Sequence, residues 1–218
     1  AMPYWGVALA LGPNINATMD KKQEQHAREA LKQATARAGT ASHKEQAYIG
    51  ALASRYHSGA GKKPSSRATQ DTAYANAMRS IAHQFQDDPD AATLFAEALM
   101  DLSPWHYWTA DNQPTGHTDD ILTTLEQVLA QHPDHPGACH LYIHALEASP
   151  FPERALDCAR RLPDLMPGAG HLVHMPAHLY IRLGRYQEAT ERNQQAVRVD
   201  RDYLAHRHIT GSYADGYA

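Results

Sequence analysis

The chain has 218 residues, 43% of them apolar, with a formal charge of -4 and an isoelectric point near 6.4. That is enough apolar material to bury the core of one large domain or two small ones. Lysine and arginine are scattered, which excludes the basic footprint of a nucleic-acid binder, and no uninterrupted apolar run of about 18 residues exists to cross a membrane.

No charged start followed by an apolar stretch marks a signal peptide, so a cytoplasmic location is expected, although "AMPYWGVALALG" opens inside a helical pattern and the native start is expected further upstream. Cys139 and Cys158 are too few for a disulfide framework and lack the spacing of a thiolate metal site; both read as small buried apolar residues. Histidine is the outlier, at 15 residues concentrated in the second half.

Apolar residues recur at helical spacing almost throughout, alanine is abundant, and valine and isoleucine never alternate as in strands, so the fold class is all-α. The periodicity predicts helices at about 2–12, 20–38, 43–57, 69–86, 90–102, 118–131, 137–148, 152–164, 170–183 and 185–200. "GPNIN" (12–16) is a helix stop and turn. "SGAGKKPSS" (58–66) and "SPWHYWTADNQPTGH" (103–117) are the long loops. On the helix before the second of these, Glu97 and Asp101 form a pair four residues apart, read as solvated surface or as a lesser site candidate. Within that loop, Trp105, Tyr107 and Trp108 are candidates for a substrate-binding wall, since long loops in compact domains often cover sites; plugging a gap between irregular repeats is the competing reading.

The helices repeat in the last third. "YIRLGRYQEATERNQQAV" resembles the tetratricopeptide repeat (TPR), a helical hairpin with a period of 34 residues. Setting Gly184 at the turn puts Ala177, Tyr180, Ala189 and Ala196 on the family's signature places; one period upstream Ala189 falls on Ala155, and Pro133 and Pro167 close successive repeats. Repeats 136–169 and 170–203 are well registered, 1–135 is irregular, and 204–218 begins a partial repeat, all within a single TPR-like domain covering 1–218. "AMPYWGVALALGPNIN", "EALMDLSPWHYW", "HLYIHALEAS" and "GHLVHMPAHLYIRLGRY" are also similar to a bacterial branch of this family, which supplies no activity. The resemblance implies an α-solenoid superhelix whose concave face, lined by the first helix of each hairpin, holds a peptide or small-molecule ligand. Unpartnered end repeats would expose apolar faces, which points to a homodimer or a missing cap.

On that register His140 and His174 share place 5 and His144 and His178 share place 9; His171 takes place 2, Glu147 place 12, Arg182 place 13, and His208 repeats place 5. In the family these places face the groove. Side chains four apart on a helix share a face, and packed helices lie roughly 8 to 10 Å apart, so His140, His144, His174 and His178 form a candidate metal site of four nitrogen donors. Such a set suits copper first, zinc next, then iron or nickel. Glu147 and His171 are the catalytic candidates: they can complete the coordination, act as acid or base, or hold a ring tautomer. Arg182 is a candidate for an anionic ligand or pairs with an acidic neighbour. The paired helix-borne histidines are similar to the ligand pattern of helical dicopper proteins, so a metal-dependent oxidoreductase is favoured over a hydrolase; the alternative is a non-enzymatic interaction module. Pro176 is expected to kink or restart the helix near His174.

Overall fold

The computed structural model describes residues 1–56 and 66–208. Among the described residues eleven α-helices follow one another: Met2–Ala10 (α1), Lys21–Ala36 (α2), His43–Tyr56 (α3), Arg67–Gln84 (α4), Pro89–Met100 (α5), Thr118–Gln131 (α6), Pro136–Leu146 (α7), Leu156–Leu165 (α8), Gly170–His174 (α9), Pro176–Arg182 (α10) and Tyr186–His206 (α11). Among the described residues there is no strand, only isolated bridges between Asn14 and Ala17 and between Trp108 and Pro114. Most of the loop expected at 58–66 and the end of the expected partial repeat lie outside the described residues.

The helix starts are written in the sequence by residues that accept from otherwise orphaned backbone N–H groups. Asp20 and Gln23 form a reciprocal capping box on α2, Ser66 caps α4, and Asp88 caps α5 ahead of Pro89. His135 does the same for α7, its Nδ1 accepting from Ala138 N at 3.0 Å with Pro136 in the first turn. Proline fits there because its missing N–H would have had no helical partner.

The chain forms two compact units, residues 1–107 and 108–218. In the first, α3 packs on α4, α4 on α5, and α1 on α2 and α3. Leu52, Met78, Leu99 and Met100 are fully buried between them. Inside this apolar packing Arg55 reaches Asp71 at 2.8 Å and Asp101 at 2.7 Å, with its guanidinium 4.8 Å from the centre of the Tyr74 ring. The Glu97–Asp101 pair is therefore internal, not solvated surface. Burial lifts the Asp101 carboxyl to about 7, with Arg55 pulling the other way, and burial also raises Glu97.

In the second unit α7 packs against α6 and α8, while α9 and α10 lie against α11. The helix expected at 152–164 opens as a 3-10 turn, Pro152–Ala155, before becoming α8. The helix expected at 170–183 is two helices broken at Met175: Pro176 has no N–H to give the Leu172 carbonyl and starts α10 instead. At the other end of α10, Arg185 N reaches Tyr180 O at 2.8 Å and Gly184 N reaches Ile181 O at 3.2 Å, the paired bonds that close a helix through a left-handed residue. Gly184 takes that conformation at φ +72°, which glycine adopts without the clash a Cβ brings. The turn folds α10 onto α11 so that Ala177, Tyr180 and Ala189, three of the TPR signature residues, form one buried cluster. α11 continues to His206, so residues 204–206 end the last helix, and His208 lies exposed beyond it.

Candidate functional site

The second unit brings five imidazoles together from three helices. His140 and His144 stand four apart on α7, with ring centres 4.8 Å apart. His171 and His174 come from α9 and His178 from α10. Around the cluster, ring centres are 5.0 Å apart for His140 and His171, 6.4 Å for His171 and His174, 4.6 Å for His174 and His178, and 5.5 Å for His178 and His144. The contacts thus close a ring of histidines.

Two of these meetings are nitrogen to nitrogen. His140 Nε2 lies 3.0 Å from His171 Nε2, and His178 Nε2 lies 2.8 Å from His174 Nε2. Glu147, just past the end of α7, contacts two of the rings: Oε1 is 3.2 Å from His144 Nδ1, and Oε2 meets His178 Nδ1. Asn193 of α11 places its Oδ1 2.7 Å from His174 Nδ1. Donor atoms of His140, His144 and His171 all lie within 4.8 Å of one another, as do those of His144, Glu147 and His178.

Burial sets the charge state. His144 is only 2% exposed, so place 9 of its repeat is interior. Loss of water around the ring pulls His140 down to about 3, helped by repulsion from His144, His171 and His178. His171 sits at the exposed rim, yet packing against its neighbours and their charge lower it to about 4. Burial lowers His144 as well, against the opposing pull of Glu147. For Glu147 burial acts upward, but its bonds to His144 and His178 outweigh that and hold the carboxyl at about 2. Neutral imidazoles beside a carboxylate are the protonation states a cation needs of its ligands.

Of the residues expected at the site, His140, His144 and His178 fall within the two close donor groups, and so do Glu147 and His171. His174 reaches the cluster through His178. Trp108 belongs to the same unit and is tied to α7, its Nε1 donating to Ala145 O at 2.7 Å. Trp105 and Tyr107 belong to the first unit: Trp105 is 48% exposed with φ +66°, and Tyr107 is buried with its hydroxyl donating to Met100 O. Arg182 stands exposed in the last turn of α10, outside both donor groups. Asn193 carried no signal in the sequence, being one polar residue among many in "TERNQQAV".

No family model matches the chain, and no curated protein matches it. Among solved structures, MamA of MSR-1 superposes with a TM-score of 0.52 at 15% identity, covering 93% of this chain and 95% of that one. MamA of AMB-1 gives 0.50 at 15% identity, covering 92% and 89%. At that identity the likeness is one of fold alone, and the fold is an all-α TPR-type solenoid.

Proposed function

We propose that this chain is a TPR-type interaction module whose second unit carries a transition-metal site built from the histidine cluster. The likeness of fold favours the interaction role over an oxidative enzyme, because hairpins of this type bind partners on faces that stacking leaves open, and the likeness brings no chemistry with it. A peptide, a small ligand or a second copy of the chain is the partner class that fits this reading.

The metal reading is carried by one observation, the closure of three imidazole donors from α7 and α9 to within 4.8 Å. An ion bonded at about 2.0–2.1 Å to each nitrogen spans up to ~4.1 Å between donors on opposite sides, so the group needs only small side-chain adjustments to share one. A clustered imidazole set suits copper, zinc, nickel or iron, and is a poor match for magnesium or calcium, which take oxygen ligands.

Metal-free protein titrated with Zn(II) and with Cu(II), alongside His144→Ala and His171→Ala, tests the reading. Saturable binding by the wild type that both substitutions abolish supports it. Protein that binds neither ion, yet captures a partner through its helical faces, leaves the interaction module alone standing.

A further inference from the structure

His174 and His178 meet in an arrangement that neutral imidazoles do not adopt by themselves. Each ring has its Nδ1 against an oxygen acceptor: Asn193 Oδ1 for His174, at 2.7 Å, and Glu147 Oε2 for His178. A neutral imidazole carries one N–H, and amide and carboxylate oxygens only accept, so each of these contacts holds the proton on Nδ1. Both Nε2 atoms are then lone-pair donors, and they face each other at 2.8 Å. Two lone pairs at that separation repel unless a proton or a metal cation lies between or beside them. Glu147 extends the pattern through its other oxygen, which takes Nδ1–H of His144 at 3.2 Å.

We infer that Glu147 is a positioning residue, bonding outside the coordination sphere: by holding Nδ1 of His144 it turns Nε2 of that ring toward a transition-metal ion shared with His140 and His171, while with Asn193 it aims Nε2 of His178 and His174 at each other. The inference rests on the metal reading above and makes it specific. It takes Glu147 out of the roles of ligand and of acid or base, and it brings in Asn193, which lies on a helix that supplies no ligand. A carboxylate shared by two ring N–H groups orients both rings at once and makes His144 a stronger donor to the ion. Because the donors are nitrogens, the ligand class is the borderline divalent ions and copper, not the oxygen-seeking ones.

The test uses the full chain as wild type, Glu147→Gln and Asn193→Leu, with Zn(II) as the probe and Mg(II) as control. X-ray absorption of the zinc-loaded wild type is expected to show low-atomic-number neighbours with imidazole scattering and no carboxylate contribution. Glu147→Gln keeps that shell while its zinc affinity falls about 10- to 100-fold. In the metal-free protein, nitrogen NMR of the rings is expected to show Nδ1–H tautomers at His144, His174 and His178. Glu147→Gln then disturbs His144 and His178, and Asn193→Leu disturbs His174. A carboxylate in the wild-type shell that disappears in Glu147→Gln makes Glu147 a ligand and overturns the inference while leaving the metal reading intact. Nε2–H tautomers overturn it as well. Failure of the wild type to bind zinc or copper removes the metal reading itself, and the inference with it.

Discussion

Both units bury titratable groups, and they differ in whether the unit supplies the compensating charge. In the first, Arg55 lies between Asp71 and Asp101 and provides the cation its carboxylates need. In the second, the groups that face one another are five imidazoles and Glu147, and the largest charge effects on His140, His144 and His171 are those of other histidines and, for the first two, that carboxylate. A buried cluster that brings its own counter-charge is closed. One that gathers imidazole nitrogens around a carboxylate has the makeup that the proposed cation site requires.

The largest effect expected from breaking this contrast is in the first unit. Arg55→Leu leaves Asp101 buried without its partner and Asp71 with only Arg67 at 3.8 Å, and losing one side of such a buried pair costs about 3–5 kcal/mol. Thermal unfolding at slightly alkaline pH reads it. The loss should shrink in mild acid, where Asp101, already near 7, takes up a proton and no longer needs the guanidinium. Equal loss at both pH values would show that packing of the arginine stem, not charge, sets the cost.

A smaller effect comes from the ion. At a free concentration about 100 times its dissociation constant, a ligand specific to the folded state adds about 2.7 kcal/mol of stability. Zinc is therefore expected to raise the unfolding temperature of the wild type and to leave that of His144→Ala unchanged. An equal rise in both would place the binding elsewhere.

Acid sharpens the comparison because the two clusters respond in opposite senses. His140 and His171 are depressed to about 3 and about 4 in the fold, against about 6.5 when unfolded. Their contribution to the metal-free second unit is present above about pH 6.5 and is lost as pH falls toward those folded values, since the unfolded chain binds protons that the fold refuses. Asp101 is raised to about 7 from an unfolded value of about 3.9, so its contribution to the first unit is present below about 3.9 and is lost as pH rises through about 7. Amide exchange in metal-free protein, compared between mildly acidic and mildly alkaline buffer, should show the second unit weakening in acid relative to the first. Parallel behaviour would contradict the assigned shifts.

The smallest expected effect is at Trp108. Trp108→Phe removes the hydrogen bond to Ala145 O at 2.7 Å and should cost about 0.5–1.5 kcal/mol without altering metal binding. A loss of affinity would instead give the indole a part in the site.

The fold was legible where local chemistry fixes it. Gly184 marks a turn that the structure keeps, the helices expected from about 20 and about 90 start at Lys21 and Pro89, and Ala177, Tyr180 and Ala189 follow the TPR register into one cluster. Legibility stopped where one residue changes a helix path. The register pairs His140 with His174, but the break at Met175 and Pro176 separates α9 from α10, and it is His171 whose Nε2 meets His140. Pro176 pointed to the break; the direction in which the rings turn after it depends on packing against α7 and α11, which no spacing encodes. Glu97 and Asp101 misled for a similar reason. Two acids four apart look solvated until Arg55, far away in sequence, is seen between the helices.

Residue-resolved amide exchange, recorded with and without stoichiometric zinc, tests most directly whether the second unit, and not the first, takes the proposed transition-metal ion at its histidines. Slower exchange confined to α7, α9, α10 and the facing part of α11 is the result expected. Exchange unchanged by zinc, or slowed equally around Arg55, would contradict the proposal.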